Sequence, residues 1–281
     1  VNNPLVFLFP VFHSAPEGEE KMPKQELFDL TGKVAIVTGS SRGIGRAIAE
    51  RLADAGANVV ISSRKASLCE DVAAAINAKQ GREAAIALPA NISDKGSLQA
   101  MVDATLAAWG RIDILVCNAA TNPYYGPSSG IEDDVFRKVL DNNVLANHWL
   151  VQMVRPQMAE RKDGAIVIVS SIGGLVGSDT IGAYNISKAA DMQMARNLAV
   201  ELGPQNIRVN CIAPGLIKTD FSKALWDNEK TLGYFETVTP LRRIGNPDEI
   251  AGAAVFLASK AGAYMTGQVM VVDGGTTIAG G

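Results

Sequence analysis

In the stretch Ala183-Tyr184-Asn185-Ile186-Ser187-Lys188, a phenol and an ammonium stand four residues apart. Ala189, Ala190, Met194 and Leu198 continue the segment with a helical pattern, and residues at i and i+4 of a helix share a face. Tyr184 and Lys188 therefore point into the same space. A tyrosine is a poor base at its ordinary pKa of ~10, and a cation beside it favours the phenolate and brings proton exchange toward neutrality. Taken alone, this spacing usually marks an ordinary amphipathic surface. The chemistry depends on what other elements bring to it.

A second group of residues suits a dinucleotide. The apolar run Val34–Thr38 leads into Gly39-Ser40-Ser41-Arg42-Gly43-Ile44-Gly45 and then directly into a helical pattern. Glycines at such a strand-to-helix turn permit a tight bend and close approach to a pyrophosphate, while the helix N-terminus supplies N–H donors and a favourable dipole. The next strand ends Val60-Ile61-Ser62-Ser63-Arg64-Lys65, without the acid that grips the ribose 2′-hydroxyl of NAD. A serine, an arginine and a lysine suit a 2′-phosphate instead, so NADP(H) is the expected cofactor. Arg42 can close on the same phosphate, and Lys65 either joins it or begins a solvated loop. Further along, Asn118-Ala119 follows a strand, Asn143 lies in a long helical stretch, and Ser170-Ser171 ends another strand. Ser171, thirteen residues before Tyr184, can reach the phenol across the mouth of a cleft; Ser170 reads as a strand cap.

The elements that must position these groups alternate between short β-branched runs and Ala-rich helical patterns, the signature of a parallel sheet covered on both faces. Strands are predicted at 34–38, 58–62, 83–88, 112–117, 165–170, 208–212 and 269–272, and helices at 44–55, 68–79, 95–109, 132–159, 183–202 and 247–258. The expected fold is α/β, a Rossmann-like doubly wound parallel sheet of about seven strands. Residues 22–281 form one expected domain. The long segment 216–245 carries Phe221, Leu225, Trp226, Tyr234 and Phe235 and reads as a substrate lid. Tyr124, Tyr125, Leu175 and Val176 are candidates for further apolar walls, with about half of these rings and chains serving only to pack the lid. Val1 to Lys21 reads as an extension, either vector-derived or upstream-translated, or as a natural tail docking on a neighbour.

Composition narrows the classes. The 281-residue chain is 47% hydrophobic and 20% charged with a net charge of −3, which suits a buried globular core and offers no basic footprint for nucleic acid. No run is long enough to span a bilayer. Cys69, Cys117 and Cys211 are odd in number and widely spaced, against a disulfide framework. His13 and His148 stand alone, against a zinc site.

Thr-Gly-x-x-x-Gly-x-Gly, Asn-Ala-Ala, the helical Asn143, Ser171, Tyr-x-x-x-Lys and Pro214-Gly215, in this order, resemble the short-chain dehydrogenase/reductase family from about Leu30 to Gly275. The resemblance implies Tyr184 as general acid/base, with Lys188 on the nicotinamide ribose and depressing the tyrosine pKa. It implies Ser171 on the substrate carbonyl oxygen and Asn143 holding a water that relays protons to Lys188. Gly39, Ser41, Arg42, Gly43, Ile44, Gly45, Ser63, Arg64, Lys65, Asn91, Ile92, Asn118 and Ala119 would line the cofactor. Pro214 and Gly215 would wall the nicotinamide, and Ile217 and Thr219 would meet its carboxamide and the phosphates. Two positions depart from the common pattern: Ala120 where glycine is frequent, and Asn91 where aspartate is.

The runs 118–126 and 206–219 are similar to the NADP-dependent carbonyl reductase and retinol dehydrogenase branch, which in animals is peroxisomal. This chain ends Ala279-Gly280-Gly281 rather than in the peroxisomal tripeptide, so the expected compartment is the cytoplasm. The implied substrate is a small carbonyl or alcohol, lipophilic or aromatic, and the implied assembly is a homodimer or homotetramer pairing the helices at 132–159 and 183–202. A 3-oxoacyl-thioester reductase shares the same positions and is the competing enzyme. A non-catalytic NADP-binding regulator would need the loop but not the set Asn143, Ser171, Tyr184 and Lys188.

Overall fold

The computed structural model describes residues 24–279; the expectations for residues 1–21 lie outside them. Seven parallel strands form one sheet in the order β3-β2-β1-β4-β5-β6-β7. They are β1 (Val34–Thr38), β2 (Asn58–Ser62), β3 (Ala85–Ala87), β4 (Ile114–Cys117), β5 (Gly164–Val169), β6 (Ile207–Pro214) and β7 (Val269–Val272). The helices are α1 (Gly43–Asp54), α2 (Ala66–Gln80), α3 (Lys95–Trp109), α4 (Asp133–Leu140), α5 (Ala146–Arg161), α6 (Gly182–Leu202), α7 (Lys223–Trp226), α8 (Glu229–Val238) and α9 (Pro247–Ala258).

Alternation along each strand sends side chains to two cores. Ala35 and Val37 of β1 join Ile48 and Leu52 of α1, Val72 of α2 and Ile250 of α9. Ile36, from the same strand, joins Leu98 of α3, Leu150 and Val154 of α5 and Met192 of α6 on the opposite face. Burial on both faces explains why the strands are continuously apolar, and each buried aliphatic side chain contributes ~1.5–3 kcal/mol.

Where strands are shorter than expected, a helix side chain has taken the backbone groups a ladder would use. Before β3, Asn77 Oδ1 accepts from Ala84 N and Ala85 N at 2.8 and 2.7 Å. Before β4, Gln157 Nε2 donates to Ile112 O at 2.8 Å and its Oε1 accepts from Ile112 N at 3.3 Å. Conversely β6 outruns its expected end, because β7 pairs with it from Cys211 to Pro214.

Two expectations need correction. The single helix over 132–159 is two helices joined by one π turn, Asp141–Leu145; such single-turn widenings tend to occur at functional sites. The segment 216–245, expected as a long loop, contains α7 and α8, the second begun by Asn228, whose side chain accepts from Lys230 N and Thr231 N.

Candidate active site

Strand order reverses between β1 and β4, and in open α/β sheets ligands gather at the carboxyl ends of strands beside such a reversal. The chain turning out of β1 there is held from β4. Asn118 Nδ2 donates to Thr38 O at 2.8 Å and Gly39 O at 3.3 Å, while Thr38 Oγ1 accepts from the amides of Asn118 and Ala119. Gly39 and Gly43 adopt φ of 66° and 57°, a left-handed conformation that glycine enters without steric cost. A Cβ at position 45 would lie 2.4 Å from both Asn118 Nδ2 and Gly39 O, so the loop closes only around glycine.

The residues present fit an anionic dinucleotide. Helix α1 starts at Arg42 with no side-chain cap and no acid in its first turn, leaving its first N–H groups to a ligand. Helix α2 starts at Lys65 in the same way. Ser63 is half-buried, with its hydroxyl 3.2 Å from Cys69 Sγ, and Arg64 and Lys65 are exposed beside it. Arg42, expected on the same phosphate, stands 3.5 Å from Asp220 across the cleft mouth. Asn91 lies exposed beyond β3 next to the half-buried Ile92, its Oδ1 accepting from Ser93 N. At the end of β6, Gly215 N donates to Val272 O, buried Ile217 pairs with Gly245, and Thr219 lies against the space a Cβ on Gly43 would occupy. Thus 39–45, 63–65, 91–92, 118–119 and 214–219 all follow strands at one edge of the sheet.

The expected chemical residues lie on α6, in the π turn before α5 and in the chain after β5. Tyr184 is half-buried, its ring 6.2 Å from that of Phe221 in the segment 216–245. Ser171 Oγ accepts from Gly173 N at 3.0 Å, so its own proton remains free to donate. Ser170 is buried and donates to Lys188 O at 2.8 Å, the structural part expected of it. Asn143 is fully buried in the π turn: its Oδ1 accepts from Thr121 N at 2.8 Å, and its Nδ2 donates to Thr121 O and Ser187 Oγ, each at 3.0 Å. Its amide thus ties the chain after β4 to α6, and a relay water would be left the second lone pair of Oδ1 or the backbone carbonyl oxygen, which already accepts from Asn147 Nδ2 at 2.6 Å.

Lys188 lies beneath Tyr184, with Nζ 5.7 Å from the ring centre. It donates to Val169 O at 2.9 Å and pairs with Asp191 Oδ2 at 3.0 Å. Burial disfavours the charged ammonium, but the charge of Asp191, that of Tyr184 and the Asp191 hydrogen bond outweigh it and hold Lys188 above the usual lysine range. Asp191 and Asn147 went unnoticed in the sequence. The i, i+3 spacing of Lys188 and Asp191 was the available signal, but it is shared by ordinary surface pairs.

The rings of the segment 216–245 divide between exposed and packed positions. Phe221 and Tyr234 are exposed, Tyr234 packs edge-on against Phe235, and Trp226 Nε1 donates to Thr219 O at 2.8 Å. Tyr125, Leu175 and Val176 are exposed, whereas Tyr124 folds into its own loop, donating to Pro127 O. Among the described residues no group of three or more His, Cys, Asp or Glu could hold a metal ion, no helix is long and apolar enough to cross a membrane, and all three cysteines are buried and free.

Comparison with known proteins agrees with this geometry. A family model described as enoyl-(acyl carrier protein) reductase matches residues 39–277. Human dehydrogenase/reductase SDR family member 4 is 44% identical over 249 residues, covering 88% of each chain. A gluconate 5-dehydrogenase from Burkholderia cenocepacia, in complex with NADP and tartrate, superposes with a TM-score of 0.86 at 32% identity over 90% of this chain and 98% of that one. A 7α-hydroxysteroid dehydrogenase complexed with NADH and 7-oxo glycochenodeoxycholic acid matches with the same TM-score and coverage at 36% identity.

Proposed function

The chain belongs to the short-chain dehydrogenase/reductase family, and on that premise we propose that it interconverts a ketone or aldehyde with its alcohol, using NADP(H) and Tyr184 as the acid/base. The observation that carries this reading is the buried Lys188, paired with Asp191, placed 5.7 Å from the Tyr184 ring on the helix that packs behind Ser170-Ser171. The bound nicotinamide supplies or accepts the hydride. Tyr184 gives its proton to the carbonyl oxygen during reduction and takes one from the alcohol during oxidation. Ser171 donates to the oxygen as negative charge develops there, a contribution worth ~2.7–4 kcal/mol for preorganised donors in other enzymes. Asn143 locks the chain after β4 against α6 and so keeps both halves of the site in register.

The phosphorylated cofactor is supported by exposed Arg64 and Lys65 at an uncapped helix start, with no acid closing β2. The NADP-bound gluconate 5-dehydrogenase is consistent with this reading, while the NADH-bound neighbour makes the direct comparison of cofactors necessary. Exposed Phe221, Tyr234, Leu175 and Val176 favour lipophilic or aromatic carbonyls. We further propose one domain with a lid over 216–245, cytoplasmic residence, and assembly through α5 and α6.

A panel of carbonyls and alcohols, acyl thioesters included, assayed with NADPH and NADH tests this reading. Tyr184→Phe is expected to lower carbonyl reduction ~100- to 10,000-fold while cofactor affinity, read by fluorescence titration, stays within a few-fold. An unchanged rate would remove Tyr184 from the chemistry, and turnover confined to thioesters would reassign the substrate.

A further inference from the structure

Behind the reacting groups lies a carboxylate that the mechanism above does not use. Asp191 is 0% exposed and Lys188 2%. Both carboxylate oxygens of Asp191 are engaged, Oδ2 by Lys188 Nζ and Oδ1 by Asn147 Nδ2, each at 3.0 Å. Asn147 itself is buried at the start of α5 and anchored to Asn143 O across the π turn. The carboxylate is therefore fixed from two helices, and the ammonium is fixed by the carboxylate and by Val169 O.

We infer that Asp191 is a positioning residue for Lys188: it fixes the ammonium in its buried seat beneath Tyr184 and keeps it charged there, so that the cation can favour the phenolate of Tyr184. The inference rests on the proposed role of Tyr184. Charge geometry gives its direction. Tyr184, Lys188 and Asp191 follow one another along one side of α6, so the phenol faces a cation backed by an anion. Without that anion the buried ammonium is uncompensated and gives up its proton more readily, which takes away the charge that favours the phenolate. Burial pushes the carboxyl of Asp191 upward, while Lys188 and then Asn147 favour its charged form.

The other titratable groups around the pair do not supply a competing counter-charge. Cys117 on β4 and Cys211 on β6 face it, and burial raises both thiols far above their ordinary range, so they stay neutral. Arg196, farther along α6, acts on Cys211. Tyr184 is the remaining group facing Lys188. Asp191 thus sets the compensation almost alone.

The test is the pH profile of alcohol oxidation by the full-length enzyme with saturating NADP⁺, measured alongside cofactor affinity by fluorescence titration. Asp191→Asn keeps the shape and removes the charge. Its rising limb is expected to move to higher pH by about one unit, at the low end of what a neighbouring charge produces, with cofactor affinity within a few-fold. Asn147→Leu keeps the carboxylate but removes a donor that favours its charged form, so its limb moves the same way by less. It also keeps the inference testable if Asp191→Asn does not fold. A merely structural role would lower thermal stability and overall rate and leave both limbs in place, and that result would overturn the inference. Tyr184→Phe is assayed in parallel: if it stays active, the assignment of the base has failed, and the limbs then report on another group.

Discussion

The proposed preference for NADP(H) turns first on the side chain of Arg64. It stands exposed just past β2 and one residue before the uncapped start of α2. A guanidinium there can meet a 2′-phosphate with two charge-assisted hydrogen bonds, whereas the hydroxyl of NADH offers it little. Bonds to charged groups contribute ~1.5–3 kcal/mol, so Arg64→Ala is expected to weaken NADPH binding ~10- to 100-fold and leave NADH within a few-fold. Titration of the variant with both cofactors decides it, since an equal loss for both would remove Arg64 from the phosphate. This residue, like the glycine turn, could be singled out in the sequence because the role proposed for it follows from what directly flanks it along the chain. Asp191 could not, for a physical reason: a Lys–Asp pair at i, i+3 looks the same whether it faces water or the interior. Only the packing of α6 on α5 and the sheet distinguishes the two.

Element by element, the strands and helices followed the period of their apolar residues, and the misreadings arose where side chains of one element settled the backbone of another. Asn77 shortens β3, Gln157 shortens β4, and the π turn at Asn143 interrupts a helix whose sequence pattern runs on unbroken. The helices of the segment 216–245 were missed because α7 has only four residues and α8 leaves its aromatic face partly exposed, so neither shows a full apolar stripe. The segment 216–245 runs into α9 at that helix's capping box. Glu249 accepts from Asn246 N at 2.8 Å and pairs with Arg243 at 2.6 Å. That Arg243 bond, followed by the backbone bond, holds the Glu249 carboxyl down at about 2. A folded carboxyl held below its unfolded value of ~4.3 stabilises the fold above that value and loses the effect as pH falls toward 2. Glu249→Gln is therefore expected to lower the Tm by about 2 °C near neutrality, corresponding to ~0.5–1 kcal/mol for a capped, exposed pair. The gap should narrow below about pH 4. Thermal melts across that range check it, and a gap independent of pH would mean that the Arg243 pair contributes nothing.

For the molecule as a whole, the alternation of elements was enough to foresee seven strands in a doubly wound sheet, and the strand order then placed every cofactor candidate at one edge. Assembly was not legible from residues, because a helix face that packs on a second copy and one that meets water both show isolated apolar side chains. The structure narrows the question. Ile186, Gln193 and Val200 recur every seven residues along the outer side of α6, and Val200 is 82% exposed. Beside it, Arg155 of α5 pairs with Glu201 of α6, which holds the two helices together as one surface. In the proposed dimer this surface meets its own copy about a two-fold axis, so a substitution at one position enters the interface from both sides. Val200→Glu would replace a buried methyl surface by two carboxylates that lose water without gaining partners, a penalty of several kcal/mol for the pair. The wild-type chain is expected to sediment at two or four times its monomer mass, and the variant to dissociate at micromolar concentration with its secondary structure retained. A variant that keeps the wild-type mass would place the interface elsewhere. Because α6 also carries Tyr184 and Lys188, a dissociated variant with reduced turnover would show that the second copy helps hold the catalytic helix in place.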